Sequence, residues 1–320
     1  MNIKNTILKI SYIIYDLLLI SIFSLAFYIS IPISVPTETI TLPKGSVTNS
    51  INHLKKEGIA LNIIDTYLLV MLGQPKYGEL NIGKGEINRI KFLNKLTTAK
   101  EAFQVITLIP GETRPIFLKD VAKSTNLDYD ILEKSYSKYS NYKEAGIIPE
   151  TYHLPTKIKE DKLIEFLVRL SEKKYEELAK EYLDRYDKKE WLRYLIIASI
   201  IQKEAANNQE MPIVASVIYN RLKEGMALQM DGTLNYGEYS HVKVTSKRIK
   251  TDKSKFNTYL NKGLPPYPVC AVSIDAIKSA LKPDKTDYLF FMKNSNGVHD
   301  FTHSYKKHLK NIEKAKKDKK

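Results

Sequence analysis

Glu204 is the ionisable residue whose place in the chain is hardest to explain as surface decoration. It closes a stretch starting near Lys189 in which Leu192, Leu195, Ile196, Ile197, Ile200 and Ile201 recur at helical spacing and nearly encircle the helix. At about 100° per residue, Glu204 falls between Ile197 and Ile200 with Ile201 on its flank, whereas Gln202 and Lys203 project elsewhere. A carboxyl on an apolar face, near the negative end of a helix dipole, holds its proton more tightly and suits a general acid. The same position also suits an ordinary ion pair with a cation such as Arg221, and the residues alone leave both readings open.

Two further clusters follow. Asn220-Arg221-Leu222 leads through Gly225-Met226 to Leu228-Gln229-Met230-Asp231-Gly232-Thr233 and then Tyr236-Gly237. The polar–apolar alternation predicts a strand or loop presenting Gln229, Asp231 and Thr233 on one side. Asn257-Thr258-Tyr259 and Gly263-Leu264-Pro265-Pro266 form a third cluster, which reads as a rigid loop.

The elements that must position these residues are mixed α and β. From Asp161 the chain turns helical, with Leu163, Phe166, Leu167 and Leu170, then Tyr175, Leu178, Tyr182 and Leu183, at helical spacing. The Glu204 helix should be central and buried; Asn207-Asn208 breaks it, and Pro212 suits the first turn of a helix that stops at Gly225. Upstream, a weak repeat appears: Ile40–Ser46 opens a helical pattern through Ile51, Leu54 and Ile59, and Ile106–Thr113 opens another through Phe117, Leu118 and Val121. Each copy reads as strand, Pro/Gly turn and helix with a Ser or Thr near its start. Two copies are too few for a solenoid.

The 320 residues carry 50 Lys and Arg against 36 Asp and Glu, for a net charge of +14, and are 43% hydrophobic, which suits a two-domain globular chain. The single cysteine, Cys270, excludes an intrachain disulfide framework and a multi-cysteine metal site. The six His show no zinc-ligand spacing, so no metal is expected. Two segments carry most of the positive charge: Lys243–Lys255 holds a net +5 and residues 305–320 a net +6. Such patches suit nucleic acid, anionic lipid or anionic glycopeptide equally well on electrostatic grounds.

The amino terminus narrows that choice. Between Ile10 and Val35 the only charge is Asp16, and Leu17–Thr37 is a run of 21 uncharged residues, long enough to cross a hydrocarbon core of about 30 Å. Pro32 and Pro36 end the helix near there, which would leave Asp16 near the inner interface. Lys4 and Lys9 precede the run, so the positive-inside rule places the amino terminus in the cytoplasm and the body outside, where nucleic acid is not a partner. No A-x-A cleavage pattern lies between Leu25 and Thr41, which favours an uncleaved anchor over a signal peptide.

The order of motifs resembles the endolytic murein transglycosylases of the YceG-like family. The likeness runs through Ile197-Ala198-Ser199-Ile200-Ile201-Gln202-Lys203-Glu204-Ala205, Val214-Ala215-Ser216-Val217 with Asn220-Arg221-Leu222, Gly225-Met226-x-Leu228-Gln229-x-Asp231, and Asn257-Thr258-Tyr259. It continues through Gly263-Leu264-Pro265-Pro266 and Tyr288-Leu289-Phe290-Phe291 to His299-x-Phe301. Upstream, Glu144–Tyr152 is similar to the family's EGxxxPDTY segment, with Ala145 for Gly and Glu150 for Asp. Other departures are Gln202 in place of the first Glu of the usual ExE spacing, Gly232 where Pro commonly follows the aspartate, and Ile109-Pro110-Gly111 without the Glu of the usual IPEG turn.

The resemblance implies a cytoplasmic tail at 1–9, an inner-membrane anchor at 10–35, a small LysM-like α+β region at 36–106, a mixed α+β catalytic region at 107–304 and a basic tail at 305–320. It implies cleavage within nascent peptidoglycan glycan strands with no metal or organic cofactor, and peptidoglycan synthases and the division machinery as further partners. The catalytic glutamate maps onto Glu204, and Gln202, which cannot donate a proton at neutral pH, removes the competing candidate. On that reading Gln229, Asp231, Thr233, Tyr236 and Asn257 line the glycan groove, and Asn220 holds or orients Glu204. A hydrolytic muramidase and a noncatalytic wall-binding or division scaffold are the rival readings.

Overall fold

The computed structural model describes residues 3–99 and 102–318; the first two residues, Lys100 and Glu101, and the last two lysines of the basic tail lie outside the described residues. The chain divides into two compact units, one of residues 1–104 with 155–157 and the other of 105–154 with 158–320. Both mix helices with short strands.

The first unit opens with α1 (Ile3–Ser30), whose stretch Leu8–Ser30 has a mean hydropathy of 2.0 and holds no fully buried residue. The helix stops two residues before Pro32, whose ring disfavours helical geometry in the residue ahead of it. Ile33–Val35, expected within the span, instead form strand β1. Asp16 is therefore 14 residues from the helix end, about 21 Å along the axis, well inside the apolar stretch rather than at its edge.

β1 pairs antiparallel with β4 (Gly85–Ile87), and β2 (Thr39–Leu42) pairs antiparallel with β3 (Gly78–Asn81). Between and after them lie α2 (Val47–Lys56), α3 (Ile63–Leu72) and α4 (Arg89–Thr98). Alternation along the strands and the 3–4 spacing along the helices bring Ile33, Leu42, Ile51, Leu54, Leu69, Leu80, Phe92 and Leu96 into one core. Beside it Arg89 and Asp65, 3% and 0% exposed, meet at 2.9 Å. The Tyr28 hydroxyl donates to Asp65 at 2.5 Å, and the Arg89 guanidinium lies 4.1 Å from the Tyr28 ring centre.

In the second unit β5 (Phe103–Thr107), at the division, pairs with β6 (Thr151–Pro155). Helices α5 (Arg114–Thr125), α6 (Tyr129–Tyr139), α7 (Glu160–Leu183), α8 (Lys188–Glu204), α9 (Met211–Lys223), α10 (Ser246–Thr251), α11 (Ile274–Leu281) and α12 (Tyr305–Lys317) follow, with a hairpin of β7 (Phe290–Lys293) and β8 (His299–Thr302) before the last. Both copies of the sequence repeat have a strand, a turn and a helix, but their caps differ. Ser46 Oγ accepts from Asn49 N ahead of α2, whereas Thr113 makes no side-chain cap bond and Arg114 N donates to Glu144.

α7 buries Leu163, Ile164, Leu167, Val168, Ser171, Tyr175, Leu178 and Ala179. Phe166 and Leu170, expected on that face, are exposed, because the stripe follows the pairs at i and i+1 on its other side. α8 is buried from Leu195 through Ile201, and the core around it joins Trp191, Val214, Ile218, Leu228, Met230, Ala276 and Ile277. Its one polar residue in that stretch, Ser199, donates to Ile196 O and accepts from Val269 N.

Burial pushes the Glu144 carboxyl up to about 8, against the charge of Arg114 and its backbone N–H. The folded chain thus keeps a proton that the unfolded chain releases above about 4.5. Stability from this group is fully present at pH 4 and is lost as pH rises towards 8. We expect Glu144→Gln to flatten the fall of the thermal midpoint between pH 5 and 9, measured by calorimetry on both proteins.

Candidate active site

Glu204 is the last residue of α8, half-buried, on the floor of an open cleft of about 220 Å³. The helix ends there because Ala205 turns to extended backbone. The cleft is walled on one side by Leu228–Asp231 and Tyr259, and on the other by Phe291–Lys293 and His299 of the β7–β8 hairpin.

The Glu204 carboxyl is pushed up to about 7, chiefly by loss of solvent, with the Asp231 carboxylate adding to the rise. Two effects oppose it: Gly232 N donates to Glu204 Oε1 at 2.7 Å, and Arg221 exerts a weaker attraction. The N–H occupies Oε1, so in the neutral form Oε2 is the oxygen that carries a proton to donate. Asp231 Oδ1 accepts from the Tyr259 hydroxyl at 2.8 Å. The cleft therefore holds one carboxyl poised to give a proton near neutral pH and one engaged carboxylate.

The ion pair left open by the sequence is not formed. Arg221, buried, donates from Nε to Leu289 O at 2.6 Å and from a terminal nitrogen to Ala227 O and Leu228 O at 3.2 and 2.6 Å. Asn220 does not hold Glu204 either: its amide donates to Thr286 O at 2.9 Å and Tyr288 O at 3.0 Å. Their shared task is to moor the chain leading into β7. Arg221→Ala would strand three carbonyls, that of Leu228 buried and the other two partly buried, and we expect a loss of about 3 kcal/mol in urea unfolding, not restored by Lys, which lacks the planar fork.

Of the other expected groove residues, Gln229 and Asp231 line the cleft, and Thr233, Tyr236 and Asn257 do not. The segment is neither strand nor open loop: Gln229 has φ 51°, and Asp231–Leu234 form a short 3-10 turn. That turn buries Thr233 completely, with its hydroxyl donating to Met230 O and meeting Thr258 Oγ1 at 3.0 Å. Asn257, also fully buried, donates to Ile249 O and Asp252 O, and Tyr236 stacks on Phe256 with ring centres 4.2 Å apart. Both brace the basic segment 243–255, where Arg248 packs 4.4 Å from the Tyr239 ring centre and lies 3.8 Å from Asp252.

Sequence reasoning missed Tyr259, Lys293 and His299 as cleft residues. His299 Nδ1 lies 2.6 Å from Glu210 Oε2, and its backbone N donates to Glu210 Oε1 at 2.8 Å. Only the hairpin register, with Lys293 opposite His299, brings these two to the cleft. Tyr259 and His299 sat inside quoted motifs, but nothing local marks a residue as facing a wall made 28 or 95 positions away.

The profile of the YceG-like family matches residues 40–314. A Bacillus subtilis (strain 168) protein named endolytic murein transglycosylase is 43% identical over 123 residues, 38% of this chain and 34% of that protein. A Streptococcus pneumoniae (strain D39) protein of the same name is 32% identical over 124 residues, 37% of this chain and 22% of that one. The matched stretch thus spans about a third or less of these curated relatives. A 2.6 Å crystal structure of a yceG-like protein from Listeria monocytogenes superposes with a TM-score of 0.57 at 24% identity, covering 85% of this chain and 98% of that one, a likeness of fold.

Proposed function

The chain belongs to the YceG-like family, and from that premise we propose that it is an endolytic peptidoglycan lytic transglycosylase cutting the MurNAc–GlcNAc β-1,4 bond within nascent glycan strands. The observation that carries the reading is the cleft carboxyl of Glu204, raised to about 7 and oriented by the Gly232 N–H. Names of the relatives point the same way.

Ordinary glycosidases use two carboxyl groups, one as acid and one as base or nucleophile. Here one suffices. Glu204 Oε2 protonates the glycosidic oxygen as its bond to C1 of N-acetylmuramic acid breaks. The resulting carboxylate then takes the proton of that sugar's own 6-hydroxyl while the oxygen closes on C1, giving a 1,6-anhydro end. The nucleophile is intramolecular, so its effective concentration replaces a bound water and the base to activate it. Asp231 and Gln229 contribute polar groups beside the positive charge that develops on the sugar.

In this reading α1 is a single-pass anchor in the bacterial inner membrane with its amino terminus inside, and residues 36–106 are a LysM-like wall-binding region. The α8 helix is the central scaffold of the catalytic region 107–304. Release of glycan ends would terminate strand elongation, which makes peptidoglycan synthases and division proteins the natural neighbours. Digestion of purified sacculi followed by mass spectrometry tests the reaction. Muropeptides lighter by one water than muramidase products are expected; products with reducing ends would make it a hydrolase, and no products a scaffold.

A further inference from the structure

α3 presents a face that its own unit leaves uncovered. Its inward side carries Asp65, Thr66 and Leu69, all buried, while Ile63, Tyr67, Val70 and Met71 on the opposite side are between 59% and 84% exposed. These four positions recur at i, i+4, i+7 and i+8, so they form one continuous apolar stripe. The only charge on the helix is Asp65, which is 0% exposed and paired with Arg89. Seating the stripe in an apolar medium would therefore strip water from no charged group.

The helix is also fixed in place relative to α1. Asp65, in the first turn of α3, accepts from the hydroxyl of Tyr28 in the last turn of α1, and Arg89 Nη1 donates to that same hydroxyl at 2.7 Å. On α1 itself Phe23 and Phe27 are 70% and 71% exposed. Two uncovered apolar surfaces are thus joined at one buried ionic cluster.

We propose that α3 is a second membrane-contacting element, lying in the interface of the bilayer that holds α1, with Ile63, Tyr67, Val70 and Met71 among the lipid chains. The inference rests on the reading of α1 as an anchor. Given that anchor, lipid is the partner held permanently next to α3, at an effective concentration no diffusing protein matches. A short helix with an apolar stripe, an interfacial Tyr and no exposed charge on that stripe suits such a position.

The test uses the full chain in vesicles of phosphatidylethanolamine and phosphatidylglycerol, one set carrying dibrominated acyl chains. Cys270 is fully buried, so the variants Met71→Cys, Phe23→Cys and Lys55→Cys each present one accessible thiol for an environment-sensitive fluorophore. The proposal expects bromolipid quenching of the probes at 71 and 23 and none at 55. Quenching at 23 without quenching at 71 overturns it and leaves the anchor standing. Quenching at neither position brings down the anchor and the proposal together. A blue-shifted, unquenched probe at 71 whose shift vanishes on dilution into excess lipid assigns the stripe to a second copy, which also overturns it.

Discussion

Glu204→Gln should remove nearly all release of anhydromuropeptides from sacculi, a fall on the order of 10³-fold within the range that general acid–base groups supply. Gln has the same shape and still accepts the Gly232 N–H, so the chain should fold and bind glycan as before; what it lacks is the proton on Oε2. Wild-type activity should depend on pH in the matching direction. The acid is protonated below about 7 and ionises above it, so the rate falls as pH rises through that value. Initial rates on soluble glycan strands from pH 5 to 9 check the sign, and a rate that climbs through pH 7 would point to a base instead. Retention of full turnover by the Gln variant would end the assignment of Glu204.

Gly232→Ala should cost about 100-fold in turnover while leaving the fold intact. A Cβ built there lies 2.5 Å from Lys203 Cβ and 2.9 Å from Glu204 Oε1, so the 3-10 turn must back away from the end of α8, and the carboxyl must readjust with it. Displacement of about 1 Å at a reacting group carries a loss of that order. Pro separates crowding from hydrogen bonding, because Gly232→Pro adds bulk and also deletes the donor. The N–H lowers the Glu204 pKa, so without it the carboxyl stays protonated to higher pH. Gly232→Pro should therefore move the alkaline fall in rate upward, and further than Gly232→Ala, which keeps the donor while straining its geometry. A Gly232→Pro profile falling at the wild-type pH would deny the hydrogen bond any part in setting the Glu204 pKa.

Helices and their order were legible in the sequence because they rest on local signals. Pro212 in the first turn of α9, Gly225 after its end at φ 63° and the apolar run of α8 each act within a few residues. The position of Glu204 on the apolar side of α8 was legible for the same reason, since its neighbours on the wheel lie three to seven positions back. The expected roles of Asn220, Thr233 and Asn257 differ from the structure because all three are polar residues that satisfy backbone groups. A buried amide bonded to two carbonyls and an exposed amide waiting for a sugar look alike in sequence. In sequence Gly232 is only a departure from the family's usual Pro, and the geometry makes its N–H a donor to Glu204. The stop of α1 at Ser30 was legible only loosely, since Pro32 and Pro36 both lie beyond the end and either could set it.

The hairpin that walls the cleft is held in place by Asn220 and Arg221 through the carbonyls of Thr286, Tyr288 and Leu289, and by Glu210 through the backbone N–H of His299 as well as its ring. Every amino acid except proline offers both of those main-chain groups. The mooring is thus largely indifferent to which side chains the hairpin carries, and a lineage, or an engineer, can rewrite Phe291, Met292 and Lys293 without recasting the frame that holds Glu204.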